Sequence, residues 1–156
     1  MDATALAKQL LESVPANRRI GLQVVRAADG CAQVAVADQP QLANMIGSMH
    51  SSGLVAIVDA AGLAAFVAAA QDANELQDVV PLGATANLQF LAPGRGRLIG
   101  HCELGETSME VARSLLGGDS DSVRLTTSAE VLTENGVVVC RGSFGWRVKR
   151  LAGARP

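Results

Sequence analysis

A run of 17 residues, Leu54–Ala70, limits the possible folds more than any other feature, because Asp59 is its only polar side chain. A membrane-spanning helix needs about 20 apolar residues and disfavours a carboxylate near its centre. This run is shorter than that and has no flanking basic clusters. It therefore predicts a helix that is buried within the protein and covered on all sides by other elements.

The composition is that of a globular protein. The 156 residues suffice for one domain with a sizeable core, and 49% apolar against 18% charged residues argues against disorder. The net charge of −2 gives no electrostatic basis for binding nucleic acid. The basic end, from Arg147 to Arg155, lacks interleaved aromatic residues and indicates a solvated tail. We expect a cytoplasmic protein with neither a membrane nor a nucleic-acid partner.

The three cysteines, Cys31, Cys102 and Cys140, are odd in number and widely spaced. They form neither a disulfide framework nor a metal-binding spacing, which suits a reducing compartment. All three lie in strand-like runs, so we predict that they are small core residues. No metal and no cofactor is expected.

The remaining patterns predict the order of the secondary-structure elements. Hairpin turns are indicated at Asp29-Gly30 and Asn135-Gly136, and a capping box at Thr107–Glu110. The predicted elements are a helix over 3–14, strands over 20–27 and 31–37, a loop over 39–49, the buried helix over 54–70, strands over 84–91 and 97–104, a helix over 107–116, and strands over 123–133 and 137–148.

A nearly all-apolar helix needs cover on every side, and a curved antiparallel sheet can provide it. We therefore predict an α+β hotdog fold, in which a long central helix is wrapped by a sheet of about six strands. It forms a single domain over 1–156, with its core over 20–149. Ser48, Ser51 or Ser52 is the expected cap at the start of the central helix.

Asp59 is the chemical anomaly of the chain, because all its near neighbours are apolar. A buried carboxylate needs dedicated hydrogen-bond donors or acquires a raised pKa. One interpretation is a catalytic carboxylate, and the other is a structural carboxylate that pins a loop or reaches solvent. The segment before the helix adds Asn44, Gly47 and His50, beside the unpaired N–H groups of a helix N-terminus. For these residues plain turn and capping roles remain open.

The spacing Asn44-x-x-Gly47-x-x-His50, followed by eight residues and Asp59, resembles the active-site segment of the PaaI-like hotdog acyl-CoA thioesterases. The stretch Gly83–Gly94 resembles the third strand of that family and the turn after it. The order of elements is similar over the predicted core. The resemblance implies a homodimeric or homotetrameric enzyme that hydrolyses an acyl-CoA thioester to a free acid and CoA.

The resemblance also implies roles for individual residues. Asp59 is the general base or the nucleophile, and the backbone N–H of Ser51 holds the thioester oxygen. Asn44, with His50 beside it, orients the carbonyl group or the water. In the family these groups meet across a dimer interface, so Asp59 of one subunit would face Asn44 and Ser51 of its partner.

Two departures from the family pattern are visible. The family usually has His-Gly-Gly where this chain has serines at positions 51 and 52. Relatives also place a hydroxyl near the carboxylate or on the third strand. Thr85 is the nearest candidate for that hydroxyl, and an ungapped comparison puts Gly83 there. Thr85 as an ordinary strand residue is the competing interpretation.

Two other functions are compatible with the same fold. One is the hydration or dehydration of a 3-hydroxyacyl thioester, for which His50 and Asp59 would have to act on adjacent carbons. These residues are separated by about half a helical rotation, which disfavours that reaction. The other is a non-catalytic module that binds acyl-CoA.

Overall fold

The computed structural model describes residues 1–152. Its helices and strands, in chain order, are α1 (Ala3–Leu11), α2 (Pro15–Arg19), β1 (Gln23–Ala28), β2 (Cys31–Val36), α3 (Ser51–Val67), β3 (Val79–Phe90), β4 (Leu98–Glu103), α4 (Glu106–Leu116), β5 (Ser122–Thr133) and β6 (Val138–Arg150). Short 3-10 turns precede α3 at Pro40–Leu42 and precede β3 at Ala73–Leu76. Within these residues, no helix combines the length and the hydrophobicity that a membrane crossing requires.

The six strands form one antiparallel sheet in the order β1-β2-β4-β5-β6-β3. The chain crosses the sheet twice, through α3 and through the connection from β3 to β4, so β3 becomes an edge strand beside β6. It has 12 residues, and its outer edge pairs with no strand among those described. A long, unpaired edge strand is a ready site for pairing with another chain.

Helix α3 lies on one face of this sheet and packs against β2, β4, β5 and β6. The approach is close because the helix presents glycine and alanine to the strands. A Cβ at Gly62 would overlap the side chain of Thr127, and Ala60, Ala61 and Ala64 are fully buried. The predicted hotdog architecture, a buried helix wrapped by six antiparallel strands, is therefore confirmed.

The hairpin turns agree with the sequence. Asp29 and Gly30 both have positive φ angles, 50° and 74°, as the tight turn between β1 and β2 requires. Gly136, with φ of 82°, lies in the turn between β5 and β6. Cys102 and Cys140 are buried core residues, and Cys31 is half-buried.

The predicted ends of three helices are wrong. The first helix ends at Leu11 instead of residue 14, and Pro15 begins a separate short helix. The helix α4 begins at Glu106 after Gly105, with no side-chain cap, so the capping box does not form. The cap of α3 is His50 and not a serine, and α3 covers residues 51–67 instead of 54–70.

Two strands are longer than predicted. Strand β3 begins at Val79 instead of residue 84. Pro81 and Gly83 interrupt the strand pattern in the sequence, but both residues are tolerated at the edge of a sheet. Strand β6 extends to Arg150, so the start of the expected basic tail is part of the sheet. The Arg150 guanidinium donates to backbone carbonyls of the Ala73–Leu76 turn region and of α4. The rest of that tail, from residue 153, lies outside the described residues.

The contact between α3 and β5 can be tested at Gly62. The Oγ1 of Thr127, which a new Cβ would overlap, accepts a 2.9 Å hydrogen bond from the Trp146 indole. We expect Gly62→Ala to lower the free energy of unfolding by about 1–3 kcal/mol, measured by urea denaturation. In a Thr127→Ala background the same change should cost less, because the overlapping hydroxyl is gone. Equal losses in both backgrounds would contradict this packing.

Candidate active site

The loop before α3 is a small hairpin in which Ala43 pairs with Met49. Asn44 organises it: its side-chain oxygen accepts from the N–H groups of Ile46 and Ser48, both at 3.1 Å, and its amide nitrogen donates to the Ser48 hydroxyl at 2.7 Å. Gly47, with φ of 76°, completes the turn. The turn chemistry left open for Asn44 and Gly47 is thus present, and one hydrogen of the Asn44 amide has no acceptor among residues 1–152.

Two hydrogen bonds fix this loop to the turn after β3. The N–H of Met49 donates to the carbonyl of Gly94 at 2.7 Å. The guanidinium of Arg95 donates to the carbonyl of Ile46 at 2.9 Å. The side chain of Arg95 therefore lies against the loop that leads into α3. No local sequence pattern indicates this contact, because the partners are 49 residues apart.

The start of α3 leaves one backbone donor unused. His50 is the cap: its Nδ1 accepts the N–H of Ser52 at 3.1 Å, and its carbonyl accepts the N–H groups of Gly53 and Leu54. Its own N–H donates to Leu42. Ser51 is exposed, and its N–H has no partner among residues 1–152. With Nδ1 acting as an acceptor, the neutral His50 ring carries its proton on Nε2.

Asp59 lies on the half-exposed strip of α3, with Val55, Ala56 and Leu63. Its carboxylate makes no hydrogen bond or ion pair with the described residues, and burial raises its pKa from 3.8 to about 6. No buried side-chain oxygen or nitrogen in the described chain lacks a partner, so the unpartnered carboxylate retains access to solvent. It is neither pinned to a loop nor neutralised by a cation.

A cavity of about 370 Å³ opens at the start of α3. Asn44 and Ser51 line it, and Asp59 does not. Ser51 and Asp59 are eight residues apart on α3, which corresponds to about 12 Å of helix rise. A larger cavity of about 570 Å³ lies at the other end of α3 and contains none of the predicted site residues.

Thr85 follows a bulge in β3 and pairs with Gly145, between the inward-facing Phe144 and Trp146 of β6. Its hydroxyl lies over Gly145, on the sheet face opposite α3. The structure therefore does not bring this hydroxyl to Asp59 within one protomer. Gly83, before the bulge, faces the aromatic pair instead. Across residues 1–152, no group of three His, Cys, Asp or Glu side chains is arranged to hold a metal.

Comparisons with known proteins agree with this fold. A family model described as "Domain of unknown function (DUF4442)" matches residues 3–148. The Pseudomonas aeruginosa protein PA5026, described as a "Probable Thioesterase", superimposes with a TM-score of 0.75 at 20% identity, covering 94% of this chain and 95% of that chain. A search among curated proteins gave no significant match.

Two further solved structures are similar. A thioesterase family protein from Silicibacter pomeroyi gives a TM-score of 0.74 at 11% identity, covering 96% of this chain and 99% of that chain. The thioesterase HI1161 from Haemophilus influenzae gives 0.71 at 15% identity, covering 98% and 94%. At these identities the likeness establishes a shared fold. The fold that the resemblance implies is therefore confirmed.

The raised pKa of Asp59 makes a prediction about stability. Because the folded pKa of about 6 exceeds the unfolded value of 3.8, ionisation opposes folding. This penalty grows as pH rises above about 4 and levels off above about pH 6. We expect Asp59→Asn to gain about 1–2 kcal/mol of stability relative to wild type between pH 4 and pH 8, after allowance for solvent screening. Urea denaturation at fixed protein concentration measures this. If the difference in free energy of unfolding between the variant and wild type does not change with pH, the carboxylate is not desolvated.

Proposed function

This chain belongs to the DUF4442 family, and we propose that it is a thioesterase that hydrolyses acyl-CoA to a free acid and CoA. The observation that carries the proposal is a pair of unused groups. One is the half-buried carboxylate of Asp59, and the other is the backbone N–H of Ser51 at a helix N-terminus. Acyl transfer needs a base and an oxyanion donor, and these groups supply both. Fold neighbours named as thioesterases favour the same chemistry.

The proposed reaction needs only water as co-substrate. The N–H of Ser51 binds the thioester carbonyl oxygen, while ionised Asp59 takes a proton from water. The resulting hydroxide adds to the carbonyl carbon, and negative charge develops on the oxygen at the positive end of the helix dipole. The tetrahedral intermediate then collapses with cleavage of the carbon–sulfur bond. The CoA thiolate leaves and takes up the proton held by Asp59, which is then ionised again. Direct attack by Asp59 on the carbonyl is the alternative first step.

The distance along α3 supports an active site shared by two subunits. A carbonyl held at about 3 Å by an N–H, approached at about 3 Å by a water that lies about 3 Å from its base, spans less than the helix rise of about 12 Å between Ser51 and Asp59 of one helix. The open edge of β3 offers a place for a second chain to continue the sheet. We propose a homodimer, alone or paired as a tetramer, in which Asp59 of one protomer faces Ser51 and Asn44 of the other.

Arg95 is the favoured contact for the CoA phosphates. It extends from the turn that lines the cavity at Ser51 and reaches Ile46 on the cavity's other wall. Two other arginines are less suitably placed. Arg97 lies 3.9 Å from Glu134, and Arg113 lines the cavity at the far end of α3.

The hydratase alternative receives no support from His50. Its Nδ1 is engaged with the N–H and hydroxyl of Ser52, which is a capping arrangement. The non-catalytic alternative differs from the proposal only in turnover. Tight binding of acyl-CoA without release of CoA would favour it, and hydration of crotonyl-CoA would favour the hydratase.

The oxyanion donor can be removed almost without changing the fold. Ser51 is the first helical residue of α3, a position where proline is well tolerated, and His50 before it has φ of −62° and ψ of 145°, which a following proline permits. We expect Ser51→Pro to lower kcat by about 10²–10³ fold in a CoA-release assay. Ser51→Ala keeps the N–H and should stay within a few-fold of wild type. Equal activity of the two variants would refute the assignment.

The shared site predicts complementation between two inactive variants. Asp59→Asn should lose at least about 10²-fold in kcat, because the base is absent. When Asp59→Asn and Ser51→Pro subunits are unfolded and refolded together, about half of the dimers are mixed and each mixed dimer holds one intact site. We expect about a quarter of wild-type activity to return. Failure to recover any activity, with mixed dimers present, would place both groups in one protomer's site.

A further inference from the structure

The cavity at the start of α3 has a buried floor and an exposed rim. Met49 and Leu54 form the floor, at 8% and 4% exposure, and Phe90 and Leu91 stand on the rim at 53% and 50%. Ala92, which is half-buried, also lines the cavity. We call these five residues the acyl groove. An apolar groove next to a free backbone N–H is the environment that a thioester with an apolar tail requires.

We infer that the acyl groove binds the acyl chain of the substrate and selects an unbranched aliphatic chain of medium length without polar substituents. The inference rests on the function proposed above and adds the substrate class to it. The groove and the free N–H of Ser51 share one cavity, so a carbonyl bound by Ser51 places the attached chain along the apolar wall.

The polar residues of the cavity explain the exclusion of substituted chains. Asn44 and Ser48 also line it, but their side chains are hydrogen-bonded to each other at 2.7 Å, and the Asn44 oxygen already accepts two backbone N–H groups. Apart from the Asn44 amide and Ser51, which are assigned to the thioester carbonyl, the cavity lining offers no free polar side chain, so a hydroxyl on the acyl chain would leave water without replacing its hydrogen bonds. That loss disfavours hydroxylated acyl groups.

The size of the cavity limits the length of the chain. Its volume of about 370 Å³ is at the small end of ligand pockets, which span about 300–1,000 Å³. The floor is closed by Met49, whose sulfur is packed against Gly53 of α3. Because the floor is closed, a chain that exceeds the groove must leave its end in water, where added methylenes contribute nothing to binding.

Ala92 and Phe90 determine this selectivity in the proposed arrangement. A larger side chain at Ala92 fills the groove from its wall and leaves the backbone bond from Ala92 to Val139 unchanged. Removal of the Phe90 ring lowers the rim. Leu82 supplies a matched control for Phe90, because it lies on the same strand with 54% exposure but pairs with Arg147, which places it on the other face of the sheet.

The test compares kcat/KM for butyryl-, octanoyl-, palmitoyl- and 4-hydroxyphenylacetyl-CoA. We expect octanoyl-CoA to be the best substrate, with a gain of up to about fourfold per methylene over butyryl-CoA until the groove is full. Ala92→Leu should lower the octanoyl-to-butyryl ratio about tenfold while butyryl-CoA turnover persists. Phe90→Ala should lower the ratio several-fold, and Leu82→Ala should leave it unchanged.

The outcomes separate this inference from the proposed function. Absence of hydrolysis for every acyl-CoA would refute the function itself. Hydrolysis with an unchanged chain-length profile in Ala92→Leu, or with 4-hydroxyphenylacetyl-CoA as the best substrate, would refute only the acyl groove. If Ala92→Leu instead alters the molar mass measured by light scattering, a second copy of the chain occupies the groove, and the inference is equally overturned.

Discussion

The burial of α3 governs the architecture of the protein. A helix with a single polar side chain along most of its length cannot be exposed to water, and the sheet and α1 cover it except along one half-exposed strip. The small residues that face the strands allow a close approach, as the tight fit of Gly62 against Thr127 illustrates. The strip that remains half-exposed carries Asp59. The same helix therefore provides the core of the fold and the reactive group of the proposed site.

The beginning of this helix is held by contacts that are distant in sequence. Hydrogen bonds from Met49 and Arg95 join the loop before α3 to the turn after β3, and Asn44 organises the loop from within. With His50 as the cap, every early N–H of α3 has a partner within the described chain except that of Ser51. A donor that is held rigidly and left unused costs little reorganisation when an oxyanion forms.

The electrostatic state of Asp59 is the counterpart of that unused donor. Burial raises its pKa to about 6, with no hydrogen bond or cation from residues 1–152 to offset it. The carboxyl group is therefore a stronger base than an exposed aspartate and is still mainly ionised at neutral pH. The ionised, half-buried carboxylate of Asp59 lowers the stability of the fold. Such a cost is typical of functional sites, where local requirements of chemistry conflict with those of stability.

Local patterns in the sequence were sufficient for the buried helix, the hairpin at Asp29-Gly30, the hotdog class and the unusual carboxylate. Each depends on periodicity or on the backbone preference of a few adjacent residues. The path of β3 through Pro81, the outward direction of Thr85 after the bulge and the role of Arg150 depend instead on strands and carbonyls far away in the chain. The free N–H of Ser51 belongs to this second group, because a donor is unused only when every neighbouring acceptor is already placed.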